Sequence, residues 1–240
     1  MRCHCLFIAA TVALTLSALA QDPAPKAPPA ASTRPAPPAS PALPSGQPMA
    51  DVNLMTKEGS AIFGAEWRYS DAKIIEVPYT APGAERSTPG PANTTYEISP
   101  LAGAADFDDS SWPIIAADTL GQRRAGGKVC FNWYRVTLTM PRDFAGLDVA
   151  GSVAVLHATV DDYAEIWVNG QLPRVLNQDN PNLVTGWNKP NRVVLSNDVK
   201  PGEKVQVAIF GINGPISAAP TNYIWFREAK VEFYPKAHGQ

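Results

Sequence analysis

The chain has 240 residues, with 20 Lys and Arg against 22 Asp and Glu and a formal charge of −2. With no cluster of cations it carries no electrostatic footprint for nucleic acid or for an anionic membrane surface. Two of its three cysteines stand at positions 3 and 5, so a disulfide-stapled scaffold is excluded for the rest of the chain.

Residues 1–20 read as a secretory signal: Arg2 precedes an apolar run from Leu6 to Leu19, and Ala18-Leu19-Ala20 is a small-x-small cleavage site. The run is shorter than the roughly 20 apolar residues of a membrane span, and no later segment approaches one. The expected destination is the periplasm or the exterior. There Cys130 is the one remaining cysteine, and its apolar strand context reads as a buried, inert thiol. Residues 21–50 are almost entirely Pro, Ala and Ser and read as a disordered, polyproline-like linker. Residues 51–64 form an ambiguous lead-in, residues 65–235 are long enough for one domain with a sizeable core, and 236–240 form a tail.

Within that domain short β runs alternate with Gly, Pro and Asn turns. The expected strands are Lys73 to Tyr79, Lys128 to Met140, Ser152 to Val160, Arg192 to Leu195, Val205 to Ile209 and Tyr223 to Tyr234. The clearest is Asp161-Asp162-Tyr163-Ala164-Glu165-Ile166-Trp167-Val168-Asn169-Gly170. Ala164, Ile166 and Val168 face one side and Tyr163, Glu165 and Trp167 the other, with surface carboxylates at its start. Asn169-Gly170 accepts the positive φ of a tight hairpin. No amphipathic helix of ordinary length is evident, and the spacing predicts an all-β sandwich or jelly roll.

The order of the motifs carries a resemblance. Phe107-Asp108-Asp109-Ser110-Ser111-Trp112 is followed by Asn132-Trp133-Tyr134-Arg135, then by the Asn-Gly strand. Next come the Val199-Lys200-Pro201-Gly202 turn and a terminal Trp225-Phe226-Arg227 strand. Over about residues 105–234 this resembles the galactose-binding-like jelly roll that serves as the sugar-binding domain of family 2 glycoside hydrolases. It is also similar to the non-catalytic N-terminal domain of some bacterial gluconolactonase-like proteins, through Phe131 to Arg135 and Phe210 to Ser217. The resemblance implies a jelly-roll β-sandwich that binds carbohydrate or supports a carbohydrate-active enzyme. It implies no reaction, because fold and chemistry are separable.

The residues themselves point the same way. Only His157 falls within the folded region, in mid-strand, where a structural role is expected. Neither a nucleophile elbow nor a phosphate loop nor a zinc motif is present, so no catalytic residue is assigned. Asp108 and Asp109 read as turn caps. Asp161 and Asp162 are the candidate ligands of a structural calcium ion, since hard cations take clustered oxygens at loop ends; no other cofactor is indicated. Gln178, Asp179, Asn180, Trp187, Asn188, Asn213, Asn222 and Tyr223 fall in loops that follow strands. They offer the aromatic faces and amides that sugars need, and form the candidate binding set. By the resemblance, Asp179 is the residue that approaches the sugar. Trp133 and Trp167 read as sheet-packing residues. The leading reading is an exported, non-catalytic carbohydrate-binding module. A glycosidase or lactonase and a purely protein-binding structural module are the alternatives.

Overall fold

Strict alternation of apolar and polar residues leaves a strand one face to bury, and two such sheets bury it against each other. The computed structural model describes residues 42–78, 94–173, 188–214 and 221–236. Its elements, in chain order, are β1 (Ala50–Asn53), α1 (Lys57–Ile62), β2 (Trp67–Asp71), β3 (Lys73–Val77), β4 (Thr95–Ser99) and β5 (Ile114–Ile115). They continue with β6 (Arg124–Gly127), β7 (Cys130–Thr139), β8 (Asp143–Phe144), β9 (Leu147–Asp148) and β10 (Val153–Asp161). The last are β11 (Tyr163–Val168), β12 (Asn191–Ser196), β13 (Lys204–Asn213) and β14 (Asn222–Tyr234).

One sheet runs β1-β14-β10-β12, with β6 also paired to β14; the other runs β11-β13-β7-β2-β5. Every pairing is antiparallel. From β10 to β14 successive strands alternate between the two sheets, the connectivity of the jelly-roll sandwich expected from the sequence. Among the described residues no helix is long and apolar enough to cross a membrane.

The core lies between the sheets. Tyr134, Val136 and Leu138 of β7, Val205, Val207 and Ile209 of β13, and Leu156, Ala158 and Val160 of β10 are all buried in it. Trp67 and Tyr134, from one sheet, meet Phe226 of the other edge-on, with ring centroids 5.5 and 4.8 Å apart. Each such aromatic adds about 1.5–3 kcal/mol by leaving water. The β11 alternation is as expected, with Ala164, Ile166 and Val168 buried. Asn169 and Gly170 take φ of 48° and 75°. Val168 and Gln171 exchange both backbone hydrogen bonds across them, which closes a two-residue hairpin.

Two expectations are corrected. The lead-in 51–64 is part of the sandwich: β1 pairs with the end of β14, and Phe63 is fully buried. Its signal was hidden because β1 is four residues long and α1 only six. Thr56 caps α1 by accepting from the Gly59 amide at 3.0 Å. Any Cβ at Gly59 would lie 1.8 Å from the Asn53 carbonyl oxygen, so only glycine fits. The stretch read as linker also ends earlier than residue 50. Leu43 packs against Val155, Val194 and Tyr234 on the outer face of the first sheet, and the Met49 amide donates to the Phe233 carbonyl.

That outer face carries a closed charge network. His157 lies 3.2 Å from both Glu228 and Glu232, Arg192 lies 2.7 Å from Glu232, and the Tyr234 hydroxyl donates to Glu232 at 2.7 Å. Burial opposes ionisation of Glu232, but hydrogen bonds from Tyr234 and Arg192 overcome it and hold the carboxyl below its ordinary 4.5. A carboxyl so depressed stabilises the fold above the unfolded value and loses that contribution as pH falls through the folded one. Thermal midpoints should therefore fall on acidification below about pH 4.5. Glu232→Gln should lower the midpoint at neutral pH and make that acid limb shallower; a limb of unchanged slope would refute the assignment.

Candidate functional site

At one end of the sandwich the core changes from apolar to polar. The inward parity of β13, carried by Val205, Val207 and Ile209, reaches Gly211 and then Asn213. That of β7 runs from Tyr134 back to Asn132 and Cys130. Asn132 and Asn213 are 0% and 3% exposed. Asn213 ties the sheets together, its Nδ2 donating to Asp161 Oδ1 at 2.9 Å and to the Tyr223 carbonyl. Its own Oδ1 is enclosed and, among the described residues, accepts no hydrogen bond, as is true of the Asn132 side-chain amide beside it.

Asp161 closes β10 and Tyr163 opens β11, so Asp161 and Asp162 stand where the chain crosses between sheets. Their expected surface position is corrected: they are 4% and 9% exposed. They were read as the exposed start of one alternating strand because the sheet change within the run leaves no mark in the hydrophobic pattern. Asp161 Oδ2 accepts from Arg227 Nε at 2.8 Å, so that carboxylate is engaged by Arg227 and Asn213 together. Among the described residues no group of three or more His, Cys, Asp or Glu is placed to hold a metal ion.

Beside this polar end lies a recess of about 170 Å³. Asp161, Asp162, Asn213 and Asn222 line it, together with Arg123, Tyr223 and Trp225. Asn213 and Asn222 were expected in loops; they are the last residue of β13 and the first of β14. Asn222 Nδ2 donates to the Lys128 carbonyl at 3.0 Å. Period two along β14 sends Ile224 and Phe226 into the core, and puts Tyr223, Trp225 and Arg227 on the opposite face. Arg123, just ahead of β6, lies 5.6 Å from the Tyr223 ring centroid and 5.2 Å from that of Trp225. Arg227 lies 5.6 Å from the Trp225 ring.

Asn188 is joined to this end by its amide, which donates to the Asp162 carbonyl at 2.9 Å. Gln178, Asp179, Asn180 and Trp187 lie outside the described residues. Arg123, Trp225 and Arg227 were missed as site residues. The parity of Trp225-Phe226-Arg227 could have found two of them; Arg123, in a turn, leaves no periodic signal. Burial, followed by the charges of Asp162 and Asp71, pushes the Cys130 thiol up to about 11, so at neutral pH it is no nucleophile.

The other motifs are architectural. Buried Arg135 pairs with Asp109 at 2.7 Å and donates to the carbonyls of Ala102 and Ala104. Asp108 accepts from the Ser110 amide at 3.0 Å. Trp133 Nε1 donates to the Pro100 carbonyl, and Trp167 packs so closely on Gly103 that a Cβ there would lie 2.7 Å from its ring.

No protein-family description and no curated protein matches the chain. Among solved structures it is similar to a Bacteroides uniformis β-glucuronidase, with 15% identity and a TM-score of 0.43 over 78% of this chain and 18% of that one. It is also similar to a glycosyl hydrolase family 2 member from Bacteroides cellulosilyticus, with 14% identity and a TM-score of 0.41 over 71% and 20% of the two chains. With a Faecalibacterium prausnitzii β-glucuronidase the figures are 16% identity and a TM-score of 0.34 over 81% and 33%. The chain thus spans a third or less of the length of these neighbours, which carry no site residue over to it.

Proposed function

We propose that this chain is an exported, non-catalytic carbohydrate-binding module whose ligand enters the recess at the polar end of the sandwich. One observation carries the reading: aromatic rings of Tyr223 and Trp225 and polar groups of Asn213, Asn222 and Asp162 line a single depression. A sugar uses both kinds of surface, ring atoms for its C–H side and amides or carboxylates for its hydroxyls; with Arg123 over both rings and Arg227 over Trp225, the C–H contact falls to the ring atoms these guanidiniums leave uncovered. Asp161, engaged by Arg227 and Asn213, is committed to structure, which favours binding over acid–base chemistry. The leader and the Pro-rich linker in the sequence support export and presentation away from an anchoring partner.

Calorimetric titration with a panel of monosaccharides tests the proposal. Binding should appear in the wild type and weaken about three- to tenfold in Trp225→Ala, the scale of one lost aromatic contact of about 0.5–1.5 kcal/mol. Absence of heat with every sugar, on a protein of intact fold, would overturn it.

A further inference from the structure

We infer that the recess selects sugars bearing a carboxylate, with Arg123 as the specificity-determining residue; this rests on the carbohydrate reading above. The two cations of the region are in different states. Arg227 is neutralised, its guanidinium held by Asp161 at 2.8 Å. Arg123 is exposed and, among the described residues, has no hydrogen bond or ion pair; its recorded contacts are the faces of Tyr223 and Trp225. Stacking occupies the flat faces of a guanidinium and leaves its edge N–H groups as donors in a fixed fork. That fork matches a carboxylate edge-on through two parallel hydrogen bonds, and a lone hydroxyl uses only half of it.

The remainder of the lining has the opposite character. Among the described residues Asn213 Oδ1 is buried and without a donor, and the Asp162 carboxylate is a further acceptor in the recess wall. A ligand that satisfies both ends presents hydroxyl donors inward and an anion at Arg123. A hexuronic acid does this within one ring. A simple anion does not, because the buried acceptors would face it without a proton to accept. The recess, of about 170 Å³, is small and open, so it takes the end of a glycan and not a long chain.

The test is a low-salt calorimetric comparison of the methyl glycosides of galacturonate and glucuronate with those of galactose and glucose. It is made on the wild type and on Arg123→Gln, whose side chain has no fold contact other than the rings. The wild type should bind the better uronate roughly tenfold tighter than its neutral counterpart, the scale of one charge-assisted hydrogen-bond pair. That gap should close in Arg123→Gln, and it should shrink with added salt because Arg123 is exposed. Equal affinities for acidic and neutral sugars, or a gap that survives Arg123→Gln, would overturn the selectivity while leaving carbohydrate binding in place. Absence of binding to any of the four would remove both.

Discussion

Asp109→Ala should cost about 3–5 kcal/mol of folding stability, because it strands a buried guanidinium without its counter-charge. Arg135 is 2% exposed, and its Nε lies 2.7 Å from Asp109 Oδ2. Its Nη1 donates to the carbonyls of Ala102 and Ala104, and Nη2 reaches the Phe107 carbonyl at 3.4 Å. The arginine therefore pins the covering segment 100–112 to the outer face of β7, and Asp109 supplies the charge that makes its burial tolerable. In a domain of this size the loss corresponds to a fall of roughly 6–20 °C in thermal midpoint. Asp109→Ala combined with Arg135→Met removes the stranded charge but leaves the carbonyls without donors, at about 1–3 kcal/mol for each one buried. The double variant should therefore recover only part of the loss. A single variant within 1 °C of the wild type by calorimetry would show that water reaches Arg135.

This pair illustrates how the motifs of the sequence relate to the fold. Asp109 and Arg135 come from two of the motif segments, and the fold joins them across 26 positions. Parity along β7 puts Arg135 on the face away from Tyr134, Val136 and Leu138. Parity says nothing about what covers a face, so the near-complete burial of Arg135 under residues 100–112 was invisible. The long strands were legible because each carries its own alternation or, in β10, a near-continuous apolar run buried on both faces. β1 and β5 were not, because four and two residues are too few for a period to register.

The recess was legible only in part, for a related reason. Asn213, Asn222 and Tyr223 drew attention as polar and aromatic residues near turns, and the fold gathers them. They were placed in loops because the polar ends of β13 and β14 lack the apolar signature by which strands are recognised. Asp161 and Asp162 were noticed as an acidic pair, yet their burial follows from a change of sheet within an unbroken hydrophobic pattern. Arg123 comes from a turn nearly 40 residues upstream of Asp161, and only the pairing of β6 with β14 brings it to Tyr223 and Trp225.

Phe226→Ala should cost about 3–5 kcal/mol, the usual range for truncating a core phenylalanine. The ring is 1% exposed and wedges between Trp67 and Tyr134, one ring from each of β2 and β7. Those two cannot close the gap without moving strands held by the β2–β7 ladder, so the cavity persists. Its neighbour Trp225 projects to the opposite face of β14 and lines the recess. The two substitutions, one residue apart, should therefore have separable effects. Phe226→Ala should lower the urea midpoint while the protein that remains folded binds sugar with affinity within about twofold of the wild type, since the two side chains lie on opposite faces of β14 and share no partner ring. Trp225→Ala should weaken sugar binding while leaving the urea midpoint nearly unchanged. If Phe226→Ala abolished binding in fully folded protein, the recess would depend on core packing through β14, and its ligand groups would no longer be set by the strand ends alone. If instead both substitutions shifted the urea midpoint equally, Trp225 would be a packing residue and the recess would lose its aromatic wall as a binding surface.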